Sequence, residues 1–202
     1  MSLFSSFSSS GYKILRGLDA HFREYAVDSI RMDDALPIMQ WRNDQLSALR
    51  QNKPLTQEEQ LRYFHEVVAP AFNQTQPEQI LLRYTHCSAL IGYGGLVHLD
   101  WEARRGEVSF LLETERAKDL RSYGMELSIF LQLLKKCAFD VLDLNKIHTE
   151  SYVHRPWHVQ AIEAAGFRRE GTLRNHALAD GKLVDAVVAS CLKDEYLRNI
   201  PS

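Results

Sequence analysis

The sequence predicts one mixed α/β domain, a largely antiparallel sheet with helices on both faces. Three observations carry this reading. Strand-like stretches recur at hairpin spacing between Ile80 and Leu112. A long run of helical periodicity, Leu127–Leu142, follows them. The stretch from Asn145 to Leu192 then reads as strand, short helix and closing hairpin. No internal repeat and no proline- or glycine-rich linker divides the 202 residues, a length that one core accommodates.

Taken in order, Tyr25–Met32 alternates Ala26, Asp28, Ile30 and Met32 with Tyr25, Val27, Ser29 and Arg31, as an edge strand does. Asp33 or Asp34 is placed to cap a helix carrying Leu36, Met39 and Gln40 into Trp41–Asp44. Thr56 followed by Glu58 and Glu59 opens a second helix, with Leu61, Phe64, Val67 and Val68 at helical spacing. Strands are expected at Ile80–Thr85, Ala89–Leu99 and Glu107–Leu112, the last two joined by the charged turn Asp100–Gly106. After the long helix come a strand at Asn145–Val153 and a helix at Trp157–Ala165 that Gly166 stops. Arg168–Leu192 is a hairpin about Asp180-Gly181, a strong turn pair.

Hydrophobic residues make up 45% and charged residues 25%, and the formal charge of −2 gives no basic field for nucleic acid. Cys87, Cys137 and Cys191 are widely spaced and odd in number, so neither a disulfide framework nor a zinc pattern is expected, and each reads as a small buried hydrophobe. No apolar run approaches the roughly 18 residues of a membrane span. The serine-rich start, residues 1–24, lacks a basic, apolar leader and reads as a flexible or loosely docked extension of a domain at 25–202. A cytoplasmic location is the default expectation.

Chemistry is most legible between Glu107 and Leu134: a strand, a polar loop with one glycine, then an amphipathic helix. Unpaired N–H groups and the dipole at such a helix start suit an anion. Arg121, Ser122, Tyr123 and Gly124 add a cation and a residue that lets backbone approach closely. An ordinary strand–loop–helix crossover explains the same pattern. Core packing accounts equally for Val159, Ile162 and Ala165 in the short helix, and a hairpin alone accounts for Gly171–Glu195.

Together and in this order, the segments resemble the GNAT N-acetyltransferase superfamily. The similarity runs through WRND at Trp41–Asp44, GEVSFLL at Gly106–Leu112, LNKI at Leu144–Ile147, EAAGF at Glu163–Phe167 and the stretch GTLRNHALADGKLVDAVVASCLKDE. It points to the branch of ribosomal-protein N-terminal and nucleotide-amino-sugar acetyltransferases, and it implies a mixed sheet with a central splay. It implies acetyl-CoA as co-substrate, with Leu111 and Leu112 along the pantetheine and Arg121, Ser122, Tyr123, Gly124 and Met125 at the pyrophosphate. Glu126, or in a shifted register Asp119, departs from the family's loop. Arg155 stands at the usual asparagine and is placed to reach the cofactor or an anionic substrate. Ile162 replaces a tyrosine that often protonates the thiolate, and His158 replaces a small residue. Glu107 is the implied base, with His158 a second catalytic candidate, and Trp41 and Arg42 face the acceptor. No metal is implied.

Acetyl transfer needs a neutral amine, alignment and a donor for the oxyanion. The expected acceptor is a small-molecule amine, with a nucleotide-linked amino sugar foremost and a protein N-terminus as the alternative. A catalytically silent acyl-CoA-binding domain is the rival from another class. Nucleic acid and membrane are not expected partners, and a homodimer is compatible with the resemblance.

Overall fold

The computed structural model describes residues 11–51, 53–179 and 181–198. Its strands are β1 (His21–Phe22), β2 (Tyr25–Ser29), β3 (Ile80–His86), β4 (Ala89–Asp100), β5 (Arg105–Leu112), β6 (Lys146–Tyr152), β7 (Arg168–Ala179) and β8 (Lys182–Leu192). They form one sheet in the order β1-β2-β3-β4-β5-β6-β8-β7. Every neighbouring pair is antiparallel except β5 with β6.

The helices are α1 (Ala35–Asp44), α2 (Gln57–Tyr63), α3 (Ala69–Ala71), α4 (Thr114–Lys118), α5 (Leu120–Lys136), α6 (Pro156–Ala164) and α7 (Lys193–Arg198). Thr56 caps α2 as its sequence predicts: its hydroxyl accepts the Glu59 N–H, and the Glu59 carboxylate accepts the Thr56 N–H. The parallel pair β5–β6 requires a crossover, which α4 and α5 supply. On α5, Leu127, Phe130, Leu131 and Leu134 recur at the helical interval and are fully buried. Phe130 packs against Tyr84 of β3 and Phe110 of β5, with ring centroids 5.4 and 4.8 Å away. The buried Tyr84 hydroxyl donates to the Glu126 carbonyl at 3.1 Å, which ties helix to sheet.

Proline at the first position opens α6, and Gly166 at φ +87° ends it. Lys135 of α5 is buried and donates to the Ala165 carbonyl just past α6, its ammonium 5.2 Å from the Phe167 ring centroid. A cation at a helix C-terminus is favourably placed against the dipole.

Several expectations need correction. The long helix begins at Leu120 rather than Leu127, and Thr114–Lys118 is helical as well, so the polar loop shrinks to Glu113 and Asp119. Strong helix formers in TERAK and an Asp119 carboxylate that caps the Arg121 N–H account for this. The edge strand stops at Ser29, because Asp34 accepts the Arg31 N–H within a short 3₁₀ turn instead of capping α1. Cys87 is exposed in the β3–β4 turn, while Cys137 and Cys191 are buried as expected. Asp180 of the closing turn lies outside the described residues; Gly181 beside it has φ +73°.

The expected extension also divides differently. Residues 1–10 lie outside the described residues, but Tyr12, Leu15 and Ala20 are core residues, and β1 joins the sheet. The Tyr12 hydroxyl accepts the buried Leu81 N–H at 3.0 Å, and its ring meets Phe72 edge-on at 4.8 Å.

In β4, Gly95 has φ +129°, and a Cβ there would lie 2.1 Å from the Ile80 carbonyl oxygen. Gly95→Ala is therefore expected to destabilise the protein by about 2–4 kcal/mol. The check is a lower urea midpoint with an unchanged slope.

Candidate active site

The parallel ladder between β5 and β6 holds only Arg105↔Lys146, Gly106↔Ile147 and Glu107↔His148. Beyond these pairs the strands diverge, each retaining only its outer partner, β4 or β8. A cavity of about 420 Å³ opens there, at the C-terminal ends of both strands. Val108, Ser109 and Phe110 form one wall and Thr149, Glu150, Ser151 and Tyr152 the other. Leu127 and Leu131 of α5, Arg155 just before α6, and His158 and Ile162 of α6 line a further side. Arg42 and the stretch Ala48, Leu49, Arg50 and Gln51 complete the lining. A second cavity of about 360 Å³ adjoins it and shares Arg42, Leu55, Val97 and Ser109.

Glu107 sits at the last rung before the strands part, with 10% of its side chain exposed. The Arg50 Nη2 donates to Glu107 Oε1 at 2.9 Å and to Glu150 Oε2 at 2.6 Å. His98 Nδ1 lies 3.6 Å from Glu107 Oε2, and His176 Nε2 lies 3.1 Å from Glu150 Oε2. Arg42 donates to the Gln51 side chain at 2.9 Å and to the Tyr93 hydroxyl at 2.6 Å. Three guanidinium groups thus border a cavity that holds two carboxylates.

At the first turns of α5 and α6, Tyr123 Oη and His158 Nδ1 are 2.7 Å apart, and Arg155 Nη2 donates to Tyr123 Oη at 3.2 Å. Burial, and then the Arg155 cation, push the His158 imidazolium down to about 3. The ring is consequently neutral across the physiological range. Burial raises the Tyr123 phenol, and Arg155 opposes that rise.

The helix start holds an internal anion. Asp119 accepts the Arg121 N–H at 3.1 Å and the Ser122 hydroxyl at 2.6 Å, and these bonds keep its carboxyl below the usual range. Arg121 and Met125 are exposed beside it, and Gly124 lies on the α6 side, where a Cβ would meet Ala161 at 3.9 Å. Glu126 turns inward to pair with Arg116, away from that anion position.

Of the residues expected from sequence, Glu107, Arg42, Arg155 and His158 line one cavity. Trp41 does not; it packs on the core. Leu111 and Leu112 are buried and do not line it either, and the Leu112 carbonyl is taken by Gln45 at 2.9 Å. The open edge of β5 falls at Val108–Phe110 instead. Tyr123 reaches His158 rather than solvent, and a nitrogen pushed this low makes a weak base. Arg50, Glu150, Ser151 and Tyr152 escaped the sequence reading, because only strand register and a folded loop bring them to Glu107. Among the described residues, the one cluster with metal-ligand chemistry is Glu24, His86 and Cys87, none of which lines the cavity.

A family profile described as acetyltransferase (GNAT) domain matches residues 27–188. An uncharacterized N-acetyltransferase p20 of Bacillus licheniformis is 24% identical over 169 residues, 83% of this chain and 92% of its own. A crystal structure of spermidine N-acetyltransferase from Vibrio cholerae, in complex with CoA and spermine, superposes with a TM-score of 0.76 at 17% identity. It covers 87% of this chain and 99% of that one. A dodecameric structure of the spermidine enzyme from the same organism gives 0.71 at 18%, over 89% and 100% of the two chains.

A histidine whose folded pKa is depressed takes up its proton in the unfolded chain first. Stability therefore falls as pH drops below the unfolded value near 6.5 toward 3. His158 is expected to contribute a slope of at most about 1.4 kcal/mol per pH unit in that window. His158→Gln should flatten the curve of unfolding free energy against pH between 6.5 and 4, as urea titrations at each pH would read out.

Proposed function

The chain belongs to the GNAT acetyltransferase family, and from that membership we propose that it acetylates a small amine that also carries negative charge, a nucleotide-linked amino sugar being the foremost example. The observation that carries this reading is the charge of the cavity wall: Arg42, Arg50 and Arg155 outnumber Glu107 and Glu150. Guanidinium groups suit phosphate or carboxylate. The spermidine enzymes that share the fold act on a polycation, which three guanidinium groups would oppose. The stretch Ala48–Gln51 adds a further wall to the cavity, which favours a small acceptor over a protein N-terminus.

The family uses acetyl-CoA as co-substrate, which supplies a thioester carbonyl to the amine. The diverging strands fit its extended, amide-bearing arm, because the facing edges at Val108–Phe110 and Thr149–Tyr152 have no ladder to each other. Arg155 borders that gap, and Arg121, Ser122 and Gly124 surround the helix start where the pyrophosphate belongs. Asp119 already fills that position and has to turn aside for it.

Glu107 is the base. Its carboxylate takes a proton from the acceptor's ammonium, and the freed lone pair attacks the thioester carbon. A C–N bond forms, the C–S bond breaks, and the departing thiolate takes up, directly or through water, the second proton that the nitrogen loses on becoming an amide. His158 does not share this work: it positions the Tyr123 hydroxyl. Arg42, on the walls of both cavities, orients the acceptor's anionic part.

Saturating acetyl-CoA should raise the melting temperature, since a ligand confined to the native state stabilises it by mass action. Glu107→Gln should keep that shift while lowering kcat by about 100- to 10,000-fold. Raising the pH should partly restore the variant, because more of the acceptor is then already neutral. A variant within about threefold of the parent removes Glu107 from the chemistry. Asp119→Asn, by removing a like charge from the pyrophosphate position, should tighten acetyl-CoA on the order of threefold to tenfold in calorimetry.

A further inference from the structure

Arg50 meets its two carboxylates in an unusual way. A guanidinium usually engages one carboxylate with two parallel N–H groups. Here a single terminal nitrogen, Nη2, serves Glu107 of β5 and Glu150 of β6 together, at 2.9 and 2.6 Å. One nitrogen donating to two converging carboxylates is the arrangement of an ammonium group. The partners also differ in depth. The Arg50 side chain is 49% exposed, whereas Glu107 is 10% and Glu150 20% exposed. The cation therefore reaches in from the solvent side, and Arg50 itself follows the 3₁₀ turn Leu46–Ala48 and belongs to no strand.

Two further groups point to a ligand. Ser151 Oγ and Tyr152 Oη are buried, line this cavity and have no hydrogen-bond partner among the described residues. Buried hydroxyl groups are ordinarily satisfied, so these two offer bonds that the chain itself leaves unused. Burial raises the Tyr152 phenol above its usual range, and the charges of Arg50 and Arg155 oppose that rise.

We propose that Glu107 and Glu150 form the seat for the acceptor's ammonium group, and that Arg50 is a resident cation that occupies the seat until the acceptor displaces it. Two partly buried carboxylates side by side are costly without a cation between them, so the seat is kept filled. Displacement frees a guanidinium beside Arg42 and Arg155, ready for a negative group on the incoming molecule. The site thereby selects a molecule with both charges: an ammonium to release Arg50 and an anion to receive it. The proposal rests on the cavity being the acceptor site.

The test needs no turnover. Propylammonium, a primary ammonium without an anion, is titrated into the parent protein, Arg50→Ala, and the double variant Arg50→Ala with Glu150→Gln, at constant ionic strength. Tetramethylammonium, which has no N–H, is the control. A resident competitor lowers apparent affinity by the fraction of time it holds the seat, so Arg50→Ala should bind propylammonium on the order of tenfold more tightly. The double variant should lose that gain, and tetramethylammonium should show none. Equal or weaker binding by a folded Arg50→Ala overturns the proposal, as does a gain that Glu150→Gln leaves intact. Arg50→Gln, which keeps a polar side chain without the charge, makes the same comparison if the alanine variant does not fold. The acetyl-CoA melting shift is recorded on the same samples. A shift without the ammonium gain defeats the seat alone, and the gain without a shift defeats the acetyl-transfer reading instead.

Discussion

The parallel contact between β5 and β6 lasts three residues, and what surrounds the candidate site depends on its ending there. Backbone amides demand partners, so a sheet interior seldom parts. Here each strand keeps its outer neighbour, and the inner edges open onto a cavity rather than onto one another. Glu107 falls on the last closed rung. Glu150 falls two residues past the opposing one, on the same period-two face as His148. The same parting that makes room for an extended ligand therefore puts two carboxylates at its mouth.

The back of the cavity is held by polar ties rather than by apolar packing alone. Tyr123 and His158 join the first turns of α5 and α6, and Lys135 joins the end of α5 to the carbonyl that closes α6. Between them Gly124 faces Ala161, where a Cβ would make an ordinary contact at 3.9 Å. Buried polar links of this kind fix one relative placement of two helices, since sliding either would strand a desolvated group. The neutral state of His158 follows from that arrangement: an imidazole with a guanidinium beside it and little water does not take a proton.

The fold was legible because its elements are long and periodic. The strands at 80–112, the thick apolar stripe of α5 and the strand–helix–hairpin ending all stand close to where period and turn residues put them. The helix start is hidden in the sequence because Asp119 reads equally as a loop residue, and a cap is recognised only when its carboxylate meets an N–H. At the site, Glu107, Arg42, Arg155 and His158 could be found from their order along the chain. Arg50 could not, for it lies in a stretch with no period and acquires meaning only across 57 and 100 residues of separation from Glu107 and Glu150. Glu150 reads as one more polar position on an alternating strand, and only register tells which wall it joins.

The packing of Tyr12 sets where this chain can be trimmed. The family match begins at Val27, yet the core begins earlier, with Tyr12, Leu15 and Ala20 inside it and the Leu81 N–H bonded to the Tyr12 hydroxyl. A fragment cut to the family boundary would leave that β3 amide buried without its acceptor and bare the Phe72 ring. Gly11 extends the constraint by one residue, since a side chain there would overlap Ser29, whose hydroxyl accepts the Tyr12 N–H. The folded unit therefore reaches back at least to Gly11, sixteen residues ahead of the point where the family match begins.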